Sequence, residues 1–97
     1  MKVIVHPAAA ADLNDAATFY AAKANKQLGL ALISEFERTV LLVSENPELG
    51  VEWILDTRRI TLRRFPFSVV YRLYPDHLFI IAVAHQRRLP GYWRQRK

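Results

Sequence analysis

Apolar residues change their spacing twice along this chain, and those changes divide it into elements. The opening MKVIV is alternating and β-branched, which predicts a short first strand. His6-Pro7 follows, and proline is tolerated in the first turn of a helix, where its missing N–H would have no partner anyway. Beyond it Leu13, Ala16, Ala17 and Tyr20 recur at helical spacing, with Asp12 and Asp15 near the positive N-terminal end. Residues 24–26 interrupt the pattern. A second stripe, Leu28, Leu32, Phe36, Val40 and Val43, then predicts another helix, with Glu35, Glu37, Arg38 and Glu45 mostly off it. Asn46-Pro47 stops that helix. The very short link makes the two helices an antiparallel hairpin sharing one apolar face.

After the turn-forming ENPELG, residues 45–50, the period falls from 3.6 to 2. In RRITLRR (58–64) Ile60 and Leu62 alternate with Arg59, Thr61 and Arg63, so one face is apolar and the other cationic. FSVVYRLY (67–74) and HLFIIAVA (77–84) follow, joined through Pro75-Asp76 in a tight turn. Three strands with short links predict an antiparallel meander. The order β-α-α-β-β-β predicts an α+β fold over residues 1–97 as a single domain. In it the N-terminal strand and helical hairpin pack on one face of an antiparallel sheet, and Arg59, Arg63 and Arg72 emerge on the other.

Composition agrees with a folded domain: the chain has 97 residues, 52% of them hydrophobic, and only three glycines. Its apolar runs are too short to cross a bilayer, so no membrane partner is expected. It shows no leader pattern and no cysteine, so the expected location is the cytoplasm and no disulfide framework is expected. Charge is distributed unevenly. Residues 1–56 carry four basic and eight acidic side chains, a net −4; residues 57–97 carry ten basic ones against Asp76 alone, a net +9. A half so rich in arginine points to an anionic partner, either nucleic acid or an acidic protein.

Candidate chemistry is correspondingly narrow. His6, His77 and His85 lack ligand spacing and no cysteine assists them, so no metal site is expected. There is no glycine-rich phosphate loop and no nucleophile context around Ser34, Ser44 or Ser68, so no cofactor is expected. The arginines of RRITLRR and HQRR are harder to set aside, because guanidinium groups bind phosphate or carboxylate bidentately and stay charged. Metal-free RNA cleavage needs a base, an acid and cations for the charge that develops on phosphorus, and arginine supplies only the last. His85 and Tyr92, with Glu52 more distant, are the candidates for proton transfer. His85 reads equally as a strand-end histidine bonded to backbone. Tyr92 and Trp93 either stack an unpaired base or pin the tail to the sheet.

PAAAADLNDAATFY, ENPELG, RRFPFSVVYRLY and AVAHQRRLPGYW, in this order and covering nearly the whole chain, resemble the RelE/ParE toxins of bacterial type II toxin–antitoxin systems. The resemblance implies a small toxin wrapped by a cognate acidic antitoxin (ParD- or RelB-like) in a hetero-oligomer. It also implies one of two targets. RelE-like members are ribosome-dependent messenger ribonucleases, for which Arg63 or Arg64 matches a strand cation and Tyr92 the tail tyrosine; another ribonuclease branch is matched by Glu52, Arg63, His85 and Tyr92. The absence of lysine from residues 57–96 and the placement of Gln86, not arginine, directly after His85 depart from that pattern. ParE-like members act on DNA gyrase without an agreed catalytic set, and RRFPF and HQRRLPGYW look more like theirs. A degenerate domain that only binds antitoxin is a third reading. On either toxin reading Arg58, Arg59, Arg63, Arg64, Arg87, Arg88, Tyr92 and Trp93 are the expected target or antitoxin contacts.

Overall fold

A computed structural model describes all residues, 1–97. Strand β1 (Lys2–Val5) leads into helix α1 (Pro7–Lys23), then α2 (Lys26–Glu45), β2 (Val51–Trp53), β3 (Thr57–Thr61), β4 (Phe67–Leu73) and β5 (His77–His85). His6 caps α1, its Nδ1 accepting from the Ala8 amide at 2.9 Å, with Pro7 in the first turn as expected. Asn25 caps α2 in the same way, its Oδ1 accepting from the Leu28 amide at 2.8 Å. Gly29 lets the hairpin close: a Cβ there would stand 2.6 Å from the backbone oxygen of Ala17.

The five strands form one sheet in the order β1-β5-β4-β3-β2. Two features differ from the pattern-based expectation. First, β1 pairs parallel with β5, so the sheet is mixed. Second, the segment after ENPELG is itself a strand, β2, paired antiparallel with β3, so the meander has four strands. The apolar-cationic strand also ends earlier than expected, at Thr61.

Helices cover one sheet face. Leu32, Phe36 and Val43 of α2 and Ala9, Ala16 and Ala17 of α1 bury against Val69, Tyr71, Leu78, Ile80 and Val83. Tyr71, fully buried, donates its hydroxyl proton to the Pro47 carbonyl at 2.7 Å and accepts from the Gly50 amide at 2.9 Å. That pair of bonds fixes the path of ENPELG into β2. Glu35 of α2 ties down the β3–β4 loop, accepting from the Arg63 backbone amide at 2.7 Å while paired with Arg38. The Arg38 hydrogen bonds hold the Glu35 carboxyl at about 2, well below its ordinary 4.5, and the Arg63 amide adds to the effect.

Candidate functional site

The opposite sheet face is covered by the C-terminal tail, and a bulge makes that possible. Register shifts by one residue between Val70 and Tyr71, so Val70 faces Ala82 while Tyr71 faces Ile80. Ile81 is the extra residue, and both it and Ala82 belong to a second apolar cluster with Val70 and Trp93. Trp93 is only 2% exposed. Of the two roles open to it, pinning the tail is the one the fold uses, and its burial removes it from the expected partner contacts.

The tail is also fastened at the sheet edge. β1 pairs β5 only as far as Ile80, which leaves the Ile81 carbonyl and the Val83 amide without a strand partner on that side of β5. Asp12 and Arg96 occupy that gap. The Val83 amide donates to Asp12 Oδ2 at 3.0 Å, and Arg96 Nη1 donates to the Ile81 carbonyl at 3.1 Å. The two side chains close on each other as a fork, Nη1 to Oδ2 at 2.6 Å and Nη2 to Oδ1 at 3.1 Å. An ion pair thus stands in for the missing strand. Asp12, read from the sequence as an N-terminal helix charge, lies beyond the first turn of α1 and serves this latch instead. No local period in the sequence signals it.

Between the tail and the sheet lies a small cavity of about 120 Å³. Arg59 enters from β3 with its guanidinium 3.6 Å over the Trp53 ring, and Arg88 enters from the tail with its guanidinium 3.8 Å over the Tyr92 ring. Neither guanidinium has a hydrogen-bond or ion-pair partner within the chain. Trp53, which sequence reasoning passed over, is therefore part of the site; its place in β2 was hidden because β2 was not anticipated.

The remaining candidates separate into two groups. Arg58 turns away from Arg59, as alternation along a strand requires, and donates to the Gly50 carbonyl at 2.7 Å and to the Glu48 carbonyl at 3.2 Å. It holds a loop. Arg72 likewise donates to the Leu55 carbonyl at 2.7 Å. Arg63 and Arg64 follow the end of β3 as exposed loop residues, Arg64 in the left-handed region at φ 70°, and Arg87 is exposed beside the tail's first turn.

His85 and Tyr92 do line a common surface, but Arg63 and Glu52 lie outside it. His85 Nδ1 accepts from the Arg87 amide at 3.0 Å, so the neutral ring carries its proton on Nε2 and has no lone pair free to act as a base. Tyr92 donates toward Asp12 at 3.3 Å. Burial, reinforced by the Asp12 charge, raises its pKa above the ordinary tyrosine value. The tyrosine keeps its proton, and the full set needed for RNA cleavage is not assembled. No group of three or more histidine, aspartate or glutamate side chains is placed to hold a metal ion.

A family model described as the ParE toxin of the type II toxin–antitoxin system, parDE, matches residues 3–90. The chain belongs to the ParE toxin family. Among solved structures, a chain of the chromosomal ParDE TA system from P. aeruginosa superposes with a TM-score of 0.79 at 23% identity. The match covers 88% of this chain and 95% of that one, and it establishes a shared fold. No curated protein matches the sequence. The family assignment agrees with the resemblance seen in RRFPF and HQRRLPGYW. The ParE match ends at residue 90, just before Tyr92, Trp93 and Arg96, so the tail's own fastening residues fall outside it while their partner Asp12 falls within. No helix of this ParE-family chain is long and apolar enough to cross a membrane.

Proposed function

We propose that this ParE-family toxin acts in the cytoplasm by binding and poisoning DNA gyrase, without catalysis of its own, and is neutralised by a cognate acidic antitoxin in a hetero-oligomer. The observation that carries the reading is the family match over residues 3–90. Geometry supports it against the ribonuclease alternative, because Arg63 does not line the cavity that His85 and Tyr92 share, and no free base stands there, His85 Nδ1 being engaged by the Arg87 amide and Tyr92 keeping its proton. The surface offered to partners consists of Arg59, Arg63, Arg64, Arg87 and Arg88, with Tyr92 as support for Arg88. The antitoxin would lie along the helical hairpin or pair with the open edge of β2, where Val51 is exposed, and direct its acidic residues to these arginines.

The deciding experiment uses one antitoxin-free preparation in two assays: gyrase supercoiling, and messenger cleavage on translating ribosomes. Loss of supercoiling with intact messenger is expected. Cleaved messenger with unimpaired gyrase would overturn the proposal, and so would a folded protein inert in both.

A further inference from the structure

The cavity between Arg59 and Arg88 has the properties of a socket for a single anionic group. Two guanidinium groups reach it from different elements, each held over an aromatic ring and neither neutralised within the chain. Such stacking holds the cations in place before any ligand arrives, which lowers the ordering cost of binding. Ser68 and Gln86 add polar groups to the lining. A volume of about 120 Å³ accommodates a carboxylate-sized group. The faces of Trp53 and Tyr92 that would stack a base are already covered by arginine.

The rim decides between a peptide and a nucleic-acid backbone. Leu89, which borders the cavity, is 71% exposed, and Leu55, in the adjoining β2–β3 turn, is 51% exposed. A Cβ on Gly91 would lie 3.4 Å from Ile54 and 3.8 Å from Leu55, so that turn sits against the tail. A sugar-phosphate chain has nothing to place on exposed leucine, whereas a peptide with an apolar residue beside an acidic one fits both parts.

We infer that this cavity receives one aspartate or glutamate side chain from an acidic segment of the antitoxin, between Arg59 and Arg88, with the segment's neighbouring apolar side chain resting on Leu89. The owner of the segment rests on the toxin reading above; the socket itself does not.

The test uses the blocked peptide acetyl-Ser-Leu-Glu-Leu-Ser-amide, its glutamine counterpart and a short oligothymidylate as probes of the intact protein. NMR signals of the Trp53 indole N–H and the Arg59 Nε–H report occupancy, and Trp93 reports that the tail remains docked. The glutamate peptide should shift both reporters. Its affinity should fall about tenfold in Arg59→Gln and in Arg88→Gln, the loss expected of one charge-assisted contact. Lys26→Gln, which removes a charge on the helical hairpin, should bind as wild type. Equal binding of the glutamate and glutamine peptides, or indifference to Arg59→Gln and Arg88→Gln, would overturn the inference. Preferential, arginine-dependent binding of oligothymidylate would also overturn it, in favour of a phosphate site. Because the readout contains no gyrase, failure of gyrase inhibition and failure of the socket are separate results.

Discussion

Replacing Asp12 with alanine should release the C-terminal tail, because four donors converge on that one carboxylate. The Val83 amide, the Tyr92 hydroxyl and both terminal nitrogens of Arg96 point at it, and the Asp12 and Arg96 side chains are only 16% and 18% exposed. An exposed ion pair contributes about 0–1 kcal/mol, whereas breaking a fully buried one costs about 3–5 kcal/mol. This pair lies between those limits, and the Val83 amide, left without its acceptor, adds about 1 kcal/mol. Asp12→Ala should therefore cost about 3 kcal/mol. Arg96→Met keeps the apolar stem and leaves Asp12 with Val83 and Tyr92, so it should cost about 1–2 kcal/mol. Urea unfolding of the two single variants and the double variant gives the coupling, expected at about 1–2 kcal/mol. Hydrogen exchange at the Val83 amide locates it: exchange should quicken in Asp12→Ala and stay slower in Arg96→Met. A loss below about 0.5 kcal/mol in Asp12→Ala, with Val83 still protected, would refute the claim that this pair replaces a strand.

Glu35 should make stability depend on acid. Its folded pKa, about 2, lies below the ordinary 4.5, so its contribution is complete above pH 4.5 and is lost as pH falls toward 2; Glu35→Gln should narrow the gap to wild type over that window in urea titrations. Arg38, 38% exposed, leaves the pair partly screened, which brings the expected difference at neutral pH to about 1–2 kcal/mol. Gly50→Ala places a methyl 2.6 Å from the Tyr71 hydroxyl oxygen and 2.9 Å from the Arg59 carbonyl oxygen. It should lower stability by about 1–3 kcal/mol, read as a lower urea midpoint. Gly29→Ala should do likewise by forcing the helices apart at Ala17, despite alanine's better helix propensity, and calorimetry would show a lower Tm.

Periodicity carried most of the fold. The stripes Leu28-Leu32-Phe36-Val43 and Leu13-Ala16-Ala17 fall on the helix–sheet core, because a helix that covers a sheet must present one apolar side to it. Where periodicity is absent, the reading failed. VEW is too short and too exposed to show a buried face, so β2, and Trp53 with it, stayed hidden. LFIIAVA reads as an unbroken buried strand, and nothing in it marks the bulge at Ile81 that presents two successive residues to Trp93. The partners Asp12 and Arg96 stand 84 positions apart and meet only because β5 outruns β1. Arg58 and Arg59 look equivalent in a string of arginines, yet strand alternation sends one to the carbonyls of the Gly50 loop and the other onto Trp53.

The same geometry changes what the basic half of the chain means. Of its ten cationic side chains, Arg58, Arg72, Arg94 and Arg96 donate to groups of their own chain, so fewer of them are free to grip a partner than the count implies. Arg59, Arg63, Arg64, Arg87, Arg88 and Lys97 remain, and only Arg59 and Arg88 converge on one cavity. The tail's aromatics account for that convergence. Trp93 anchors the tail through the bulge, and Tyr92, held by Asp12, carries Arg88 on its ring. A partner selected by net charge alone would lose affinity in salt whichever arginine were removed, since exposed charges are screened within about 8–10 Å. A partner selected by this arrangement should be far more sensitive to Arg59 and Arg88 than to Arg63 or Arg87. The basic aromatic tail is thus a structural element first, and its recognition surface is the part left over after the sheet has been closed.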